Sequence, residues 1–262
     1  GMYGRVLVVG GSRRFSGAPS LAAMAALRAG ADLAIVIAPE PAARAIKSIS
    51  PDLIVEPLPG DFLSPDHLDL ILEESKKADV TLLGPGLGRE QATLDAVASL
   101  LWELRERRAR AVVDADALFA VDPDSGWPWL AITPHAGEFR RIFGEDPSTN
   151  LPRRVRVCAR ASDRLGGVIL LKGHVDVVAG LGRVRLNSTG NPAMTVGGTG
   201  DVLAGVTAAF LALSDDPVRA AAAAAFLVGR AGDLAFREES FSLTATSVLS
   251  KIPAVLMEFE VC

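Results

Sequence analysis

The stretch NSTGNPAMTVGGTGDVLAG, residues 187–205, places one acidic residue, Asp201, behind a glycine-rich segment and ahead of an apolar run. Bare amides at the start of a helix attract phosphate, and glycine lets the backbone approach it closely. The spacing matches neither the GxGxxG dinucleotide pattern nor the GxxxxGK[ST] phosphate loop. A carboxylate beside an anion site repels phosphate, unless it accepts a proton from a hydroxyl being brought toward that phosphate. On local grounds the pattern favours a helix cap for Asp201, and phosphoryl transfer with Asp201 as the base is the alternative.

Other side chains that could do chemistry follow predicted strands. The segments are GGS at 10–12, GPGLG at 84–88, DADAL at 114–118, TPHAGEF at 133–139 and KGH at 172–174. The carboxyl ends of parallel strands share one rim of a sheet, where ligands bind. We therefore expect Asp114, His135, Glu138 and Lys172 to converge on one crevice. The simpler alternatives are a turn start for Asp114, turn hydrogen bonds for His135, a helix start for Glu138 and an exposed strand end for Lys172.

The elements that would position these residues are short, continuous apolar runs that alternate with helical patterns. The predicted strands are 6–9, 33–38, 80–83, 111–113, 130–132 and 168–171, and helices are predicted within 16–30, over 91–108 and from the glycine-rich turn onward. Continuous apolar runs are typical of strands buried on both faces, hence of a parallel sheet covered by helices. Residues 175–187 alternate instead and turn at 180–182, which predicts an antiparallel hairpin at one edge. We expect one α/β domain over residues 1–262.

Composition and charge exclude several classes of protein. The 262 residues include 27 basic and 31 acidic ones, a net charge of -4, and the longest basic run is RERRAR at 105–110, so neither nucleic acid nor an anionic membrane is an expected partner. The lack of a long apolar window and of a signal-peptide pattern favours a cytoplasmic protein. Cys158 and Cys262 form neither a disulfide framework nor a metal-ligand pattern. The leading Gly1 and Met2 look like an expression remnant.

Several motifs, in their order along the chain, resemble the nucleotide-dependent NAD(P)H-hydrate dehydratases of the ribokinase-like superfamily. They are GGSRRFSGAPSLAAMAALRAGADLA, GPGLG, DADAL, TPHAGEF, LKG and NSTGNPAMTVGGTGDVLAG, and the resemblance runs from Arg5 to about Phe236. It implies a ribokinase-like three-layer sandwich that repairs the hydrates NADHX and NADPHX, with ADP or ATP as co-substrate and Mg²⁺. It also implies pairing with an NAD(P)HX epimerase, either a separate polypeptide or residues beyond this sequence, and a homo-oligomer.

The resemblance assigns roles to individual positions. Asp201 becomes the catalytic carboxylate that contacts the hydrated nicotinamide. The other substrate positions are Ala18, Gly86, His135 and Asn191, and the nucleotide positions are Lys172, Gly173, His174, Val175, Asp176, Gly198, Thr199 and Gly200. Where this chain has Asp176 the family often has threonine, and we expect the carboxylate to face away from phosphate. Metal ligands stay unassigned, although Glu138 resembles a superfamily position that tunes Mg²⁺ through water, and Asp114 could organise the same ions.

The chemistry of a hydrate explains why a kinase-like site would carry out a dehydration. Water added to reduced nicotinamide leaves a hydroxyl beside the ring nitrogen, and hydroxide is a poor leaving group. Once that oxygen is phosphorylated, the nitrogen lone pair can expel phosphate. Two alternatives stay open: a small-alcohol kinase acting on a vitamin precursor of the hydroxymethylpyrimidine or thiazole type, which would leave a stable phosphate ester, and a catalytically silent binding module.

Overall fold

The computed structural model describes residues 3–259, so the predictions for Gly1, Met2 and Cys262 lie outside the described residues. Its central feature is a nine-stranded sheet in the order β3-β2-β1-β4-β5-β6-β7-β8-β9. The strands are β1 (Arg5–Val9), β2 (Leu33–Pro39), β3 (Ile54–Leu58), β4 (Val80–Leu83), β5 (Ala111–Val113), β6 (Leu130–Ile132), β7 (Val168–Leu171), β8 (Asp176–Gly180) and β9 (Arg183–Asn187). The pairs from β3 to β7 are parallel, and β8 and β9 are antiparallel. The expected parallel sheet with an antiparallel edge hairpin is confirmed.

Helices cover both faces of this sheet. They are α1 (Gly17–Arg28), α2 (Glu40–Lys47), α3 (Leu68–Lys77), α4 (Gln91–Glu106), α5 (Ala136–Phe143), α6 (Leu151–Leu165), α7 (Thr199–Leu213), α8 (Pro217–Glu239) and α9 (Ala245–Met257). Strand side chains alternate between two cores: Val6 and Val8 pack with α1, α2, α7, α8 and α9, whereas Leu7 and Val9 pack with α3, α4, α5 and α6. The result is the three-layer sandwich that the motifs imply.

Strand β3 escaped prediction because it is an edge strand. Its sequence IVEPL alternates in burial, with Ile54 and Glu56 exposed, and Pro57 cannot donate to a ladder. The apolar runs of the six strands that were predicted match the observed strands to within one residue at either end. The predicted hairpin also forms, with Leu181 and Gly182 at φ of 51° and 72°, the left-handed pair that a two-residue hairpin turn requires.

The second turn of α7 packs tightly against α1. A Cβ at Gly205 would lie 2.0 Å from the carbonyl oxygen of Ala22, so the two helices cross where only glycine fits. The alanine-rich α8, which could have packed between subunits, buries Ala220, Ala221 and Ala224 inside the same core.

Within residues 3–259, the longest apolar helical segments still fall short of what a membrane-spanning helix needs.

Candidate active site

The crevice predicted from the order of the strands begins at the start of α7. Gly198 precedes the helix at a φ of 97°, and a Cβ there would lie 2.8 Å from side-chain atoms of Leu21 and Ala245. Asp201 is the third residue of the helix, and no described residue donates a hydrogen bond to its carboxyl group. The helix-cap interpretation of Asp201 is therefore wrong, because a capping side chain would accept a bond from a backbone amide of the first turn.

The pKa of the Asp201 carboxyl group lies close to neutral pH. Burial and the nearby charge of Asp114 raise the pKa of Asp201 to about 7, against the opposing effect of Lys172 and with a further rise from Asp116. A carboxyl with this pKa exchanges protons near physiological pH, which is what a general base needs.

Lys172 stands next to this carboxyl and is not the exposed strand-end lysine of the simpler reading. Its Nζ lies 2.9 Å from Oδ1 of Asp114, whose side chain is 2% exposed and also accepts a 2.7 Å bond from the Thr133 hydroxyl. Burial lowers the pKa of Lys172, but the attraction of Asp114 and Glu138 outweighs it, so the pKa is raised and the ammonium stays charged. A Cβ on Gly200 would lie 3.5 Å from this Nζ, which places a cation at the start of α7. Both features attract phosphate.

His135 and Glu138 form the start of α5. Nδ1 of His135 accepts bonds from the amides of Gly137 and Glu138, and Oε2 of Glu138 accepts a 2.8 Å bond from the amide of His135. The helix-start reading of Glu138 is confirmed by this capping box. Oε2 also lies 4.0 Å from Nζ of Lys172, and burial raises the pKa of Glu138.

A cleft of about 610 Å³ opens between these groups and α8, and we call it the nucleotide cleft. Eight of the residues singled out from the sequence line it: His135, Lys172, Gly173, His174, Asp176, Asn191, Thr199 and Gly200. Val175, Gly198 and Asp201 are absent from its lining, although Asp201 directly follows Gly200. Leu203, Val228 and Gly229, which the motifs did not flag, add an apolar wall.

Asp176 does not face away from this cleft, contrary to expectation. Its Oδ1 accepts a 2.9 Å bond from the amide of Gly173, and its Oδ2 accepts a 2.9 Å bond from the Asn187 side chain. These two donors hold the carboxylate at the cleft wall, and burial raises its pKa. Arg154, which sequence reasoning missed, donates a 2.7 Å bond to the carbonyl of Lys172. A Cβ at Gly173 would lie 2.5 Å from this guanidinium, so a larger residue there would displace the Arg154 side chain.

Asn191 has a structural partner as well as a place in the nucleotide cleft. Its amide donates 3.0 Å to Asp233 and 3.1 Å to the carbonyl of Gly232, which pins the segment ahead of α7 to α8.

A second cleft, of about 550 Å³, lies beside GPGLG, and we call it the arginine cleft. Its lining includes Arg13, Arg14, Phe15, Phe62, Arg89 and Asp116. Ala18 and Gly86 lie behind it: a Cβ on Gly86 would be 2.9 Å from Cβ of Phe15 and 3.4 Å from Cβ of Ala18. The GPGLG segment therefore forms part of a cleft and is more than a tight connection.

The described residues do not build a metal cage of their own. Residues 3–259 contain no group of three or more histidine, cysteine, aspartate or glutamate side chains arranged to hold an ion. Oδ1 of Asp114 is taken by Lys172 and Thr133, and Glu138 caps α5. Cys158 is buried, and burial raises the pKa of its thiol to about 12, which makes it a packing residue.

The chain is similar to proteins of about its own length and to one half of longer, bifunctional proteins. A bifunctional NAD(P)H-hydrate repair enzyme Nnr of Pyrobaculum aerophilum is 49% identical over 259 residues, 99% of this chain and 52% of the relative. The chain thus spans about half the length of such relatives. An ADP-dependent (S)-NAD(P)H-hydrate dehydratase of Nitrosopumilus maritimus is 37% identical over 99% of this chain and 91% of the relative. The crystal structure of the ADP/ATP-dependent NAD(P)H-hydrate dehydratase of Bacillus subtilis, co-crystallised with ATP/Mg²⁺, has a TM-score of 0.81 at 28% identity, over 99% of this chain and 91% of that one.

The family model described as NAD(P)H-hydrate dehydratase matches residues 6–254, nearly the whole of the sequence. That match and the identities above favour the dehydratase over the small-alcohol kinase alternative. The chain belongs to the NAD(P)H-hydrate dehydratase family.

Proposed function

We propose that this chain is an ADP-dependent dehydratase that converts the S epimer of NADHX or NADPHX back to NADH or NADPH. The observation that carries the proposal is the environment of Asp201: a carboxyl without a hydrogen-bond donor among the described residues, with a pKa of about 7, beside the phosphate-attracting start of α7. The names of relatives that share nearly their whole length with this chain support ADP as the donor.

The proposed reaction begins with proton transfer. Asp201 accepts the proton of the ring hydroxyl, and the oxygen attacks the terminal phosphorus of ADP, so AMP leaves as the P–O bond to it breaks. Lys172 and the amides of Gly198, Thr199 and Gly200 offset the charge of the transferred phosphoryl group. The ring nitrogen lone pair then expels phosphate, and loss of a proton from the adjacent ring carbon restores the double bond. The sum is hydrate plus ADP giving reduced dinucleotide, AMP and phosphate.

The two clefts divide the substrates between them in this proposal. ADP occupies the nucleotide cleft, with Lys172, Gly173 and His174 around its phosphates and Leu203 and Val228 against its base. The Asp176 carboxylate orients this segment through the Gly173 amide and the Asn187 side chain. The nicotinamide ring of the hydrate lies at Asp201, with His135, Asn191, Ala18 and Gly86 close to its path.

In this proposal Mg²⁺ binds together with the nucleotide. The described residues offer no cage for a resident ion, and a magnesium ion binds phosphate oxygens with only one or two protein carboxylates. When bound there, the ion would neutralise phosphate charge. Pairing with an NAD(P)HX epimerase, a homo-oligomeric state, a cytoplasmic location and a single-domain chain also stay predictions; the bifunctional names of the longer relatives support the first.

The test is to incubate the protein and Mg²⁺ with NADHX and ADP, ATP or no nucleotide, and to follow the return of reduced-nicotinamide absorbance together with release of phosphate. We expect recovery with ADP and free phosphate as a product. A stable phosphate ester in place of recovered NADH would identify a kinase instead.

The matched variant is Asp201→Asn, which keeps the size of the side chain and removes the base. We expect turnover to fall at least about a hundredfold while calorimetry still detects ADP binding. Asp163→Asn, on the exposed face of α6, is the control and should behave as the parent. Turnover retained in Asp201→Asn would remove Asp201 from the role of base.

A further inference from the structure

Arg154, the fourth residue of α6, lies beside the 172–176 segment of the nucleotide cleft. Its Nη2 donates a 2.7 Å bond to the carbonyl of Lys172 and a longer one, of 3.4 Å, to the carbonyl of Leu171, the last residue of β7. A guanidinium that bonds two successive carbonyls fixes the direction in which the chain leaves the strand. Arg154 is absent from the lining of the cleft, so it acts on the segment from the side of α6.

The Arg154 side chain also has a destabilising feature. Its Nε is buried, and no described residue accepts a hydrogen bond from it. Burial lowers the pKa of Arg154, against the attraction of Cys158, Asp176 and Asp146. A buried donor without an acceptor destabilises a fold, whereas an apolar side chain of similar length would fill the same space without that loss. The arginine is therefore explained by what its other nitrogens hold in place.

Gly173 is matched to this guanidinium. A Cβ at Gly173 would lie 2.5 Å from Nη2 and 3.1 Å from Cζ of Arg154, and the next atom, the carbonyl oxygen of Val175, is at an ordinary contact distance of 3.5 Å. The φ of Gly173 lies outside the left-handed region that favours glycine. Among the described residues, the guanidinium alone therefore occupies the space that a side chain at this position would need.

Arg154 also offsets the charge of Asp176. Burial raises the pKa of Asp176, and the bonds from Asn187 and Gly173 oppose this rise. The positive charges of Arg154 and Lys172 oppose it further, which favours the ionised carboxylate that holds the Gly173 amide. The guanidinium thus acts on the segment at two points, by hydrogen bond at the Lys172 carbonyl and by charge at Asp176.

We propose that Arg154 is a positioning residue for the nucleotide, which holds the 172–176 segment in the arrangement that binds the phosphates of ADP and touches neither substrate itself. This proposal rests on the proposed function, because it takes ADP as the ligand of the nucleotide cleft. Without the guanidinium the segment samples other arrangements, and ADP binds more weakly in proportion to the fraction that is still competent. Once ADP is bound, the groups around Asp201 react as in the parent.

The test is Arg154→Met in the full chain, with ADP titrated by calorimetry in the absence of hydrate and with kcat and both KM values measured by recovery of NADH from NADHX. We expect the Kd and the KM of ADP to rise about tenfold, while kcat at saturating ADP and the KM of NADHX change less than about twofold. A general disturbance of the fold would move kcat and both KM values together. Arg154→Lys keeps the charge and loses the fork, so it should bind ADP only about threefold less tightly than the parent.

Gly173→Ala tests the same contact from the other side. Its Cβ displaces the guanidinium without removing it, so ADP should bind about tenfold more weakly. In an Arg154→Ala background the same substitution should weaken binding no further. Factors that multiply instead, as they do for independent sites, would overturn the proposal. If Arg154→Met does not fold, Arg154→Lys and Gly173→Ala decide, and parental ADP affinity in both would overturn it.

Arg156→Met, on the exposed face of α6, is the matched control and should leave every value unchanged. Equal ADP binding by the parent and by Arg154→Met would overturn the proposal, whereas recovery of NADH by the parent would still support the proposed function. A parent that binds ADP, loses affinity in Arg154→Met and returns no NADH would give the converse result. The proposed function would then fail, and the positioning of the nucleotide by Arg154 would stand.

Discussion

At the residue scale, burial disfavours the charged forms of both Lys172 and Asp201, but only Lys172 has neighbours that offset this effect and keep it charged. The Lys172 ammonium has Asp114 at 2.9 Å and Glu138 at 4.0 Å, so the pair of acids keeps it charged. No described residue donates a hydrogen bond to the Asp201 carboxyl group, and burial together with the charge of Asp114 raises its pKa. One buried aspartate, Asp114, thus stabilises the cation that attracts phosphate and raises the proton affinity of the base.

This environment predicts the pH dependence of turnover. Asp201 acts as a base only when ionised, and its pKa is raised to about 7, so kcat/KM should fall about tenfold per pH unit below 7 and level off above it. The measurement is a pH profile of kcat/KM for NADHX at saturating ADP. The residual activity of Asp201→Asn should lack this limb. A profile that stays flat down to pH 5 would mean that another group accepts the proton.

At the scale of elements, the crossing of α1 and α7 sets the position of the base. A Cβ at Gly205 would meet the backbone of Ala22. A Cβ at Gly198, just before α7, would meet side chains of α1 and α9. Side-chain bulk at either position would lift α7 from its neighbours. Since Asp201 is one turn from Gly205, any such movement also displaces its carboxyl group.

Gly205→Ala should therefore reduce both stability and activity. A Cβ 2.0 Å from a carbonyl oxygen forces the helices apart, and overpacking of this kind costs about 1–3 kcal/mol. Denaturant unfolding should show that loss in the free energy of unfolding, and the dehydratase assay should show a lower kcat. Gly17→Ala is the control, because a Cβ there meets nothing within 4 Å, and its stability should be unchanged or slightly higher. Unaltered stability in Gly205→Ala would argue against close α1–α7 packing in solution.

At the scale of the whole molecule, the fold holds the Asp201 carboxyl group in a partly buried position where no described residue donates a hydrogen bond to it. The folded pKa of Asp201, about 7, exceeds the value of about 3.9 for an unfolded chain. The folded state therefore binds the proton more tightly, and the stability that this binding contributes is lost as the pH rises from about 4 through 7. Above this pH range the ionised Asp201 lowers the free energy of unfolding, and interactions elsewhere in the fold offset this loss.

Asp201→Asn should for that reason be more stable than the parent at pH 8, by on the order of 2 kcal/mol, and the difference should shrink almost to nothing by pH 4. The measurement is denaturant unfolding of both proteins across this pH range, with Asp163→Asn as the control for loss of an exposed aspartate. A gain that does not vary with pH would assign the effect to packing and not to the ionisation of Asp201.

The amino-acid sequence by itself determined the layers of the fold and the segments that form its rim. Continuous apolar runs identify the central strands because burial on both faces leaves no polar position in them, and glycine-rich turns at the ends of strands locate the rim. The edge strand β3 stayed hidden because Glu56 and Pro57 interrupt its apolar run.

Only the tertiary structure decided the partners and orientations of the site residues. The pairing of Lys172 with Asp114, the contact of Arg154 with the 172–176 segment and the inward position of Asp176 depend on residues 58, 18 and 11 positions apart, which no local pattern relates. The arginine cleft likewise joins loops that follow β1, β3, β4 and β5. Local spacing encodes periodicity and turns, whereas charge pairing and cleft shape arise only when distant segments pack together.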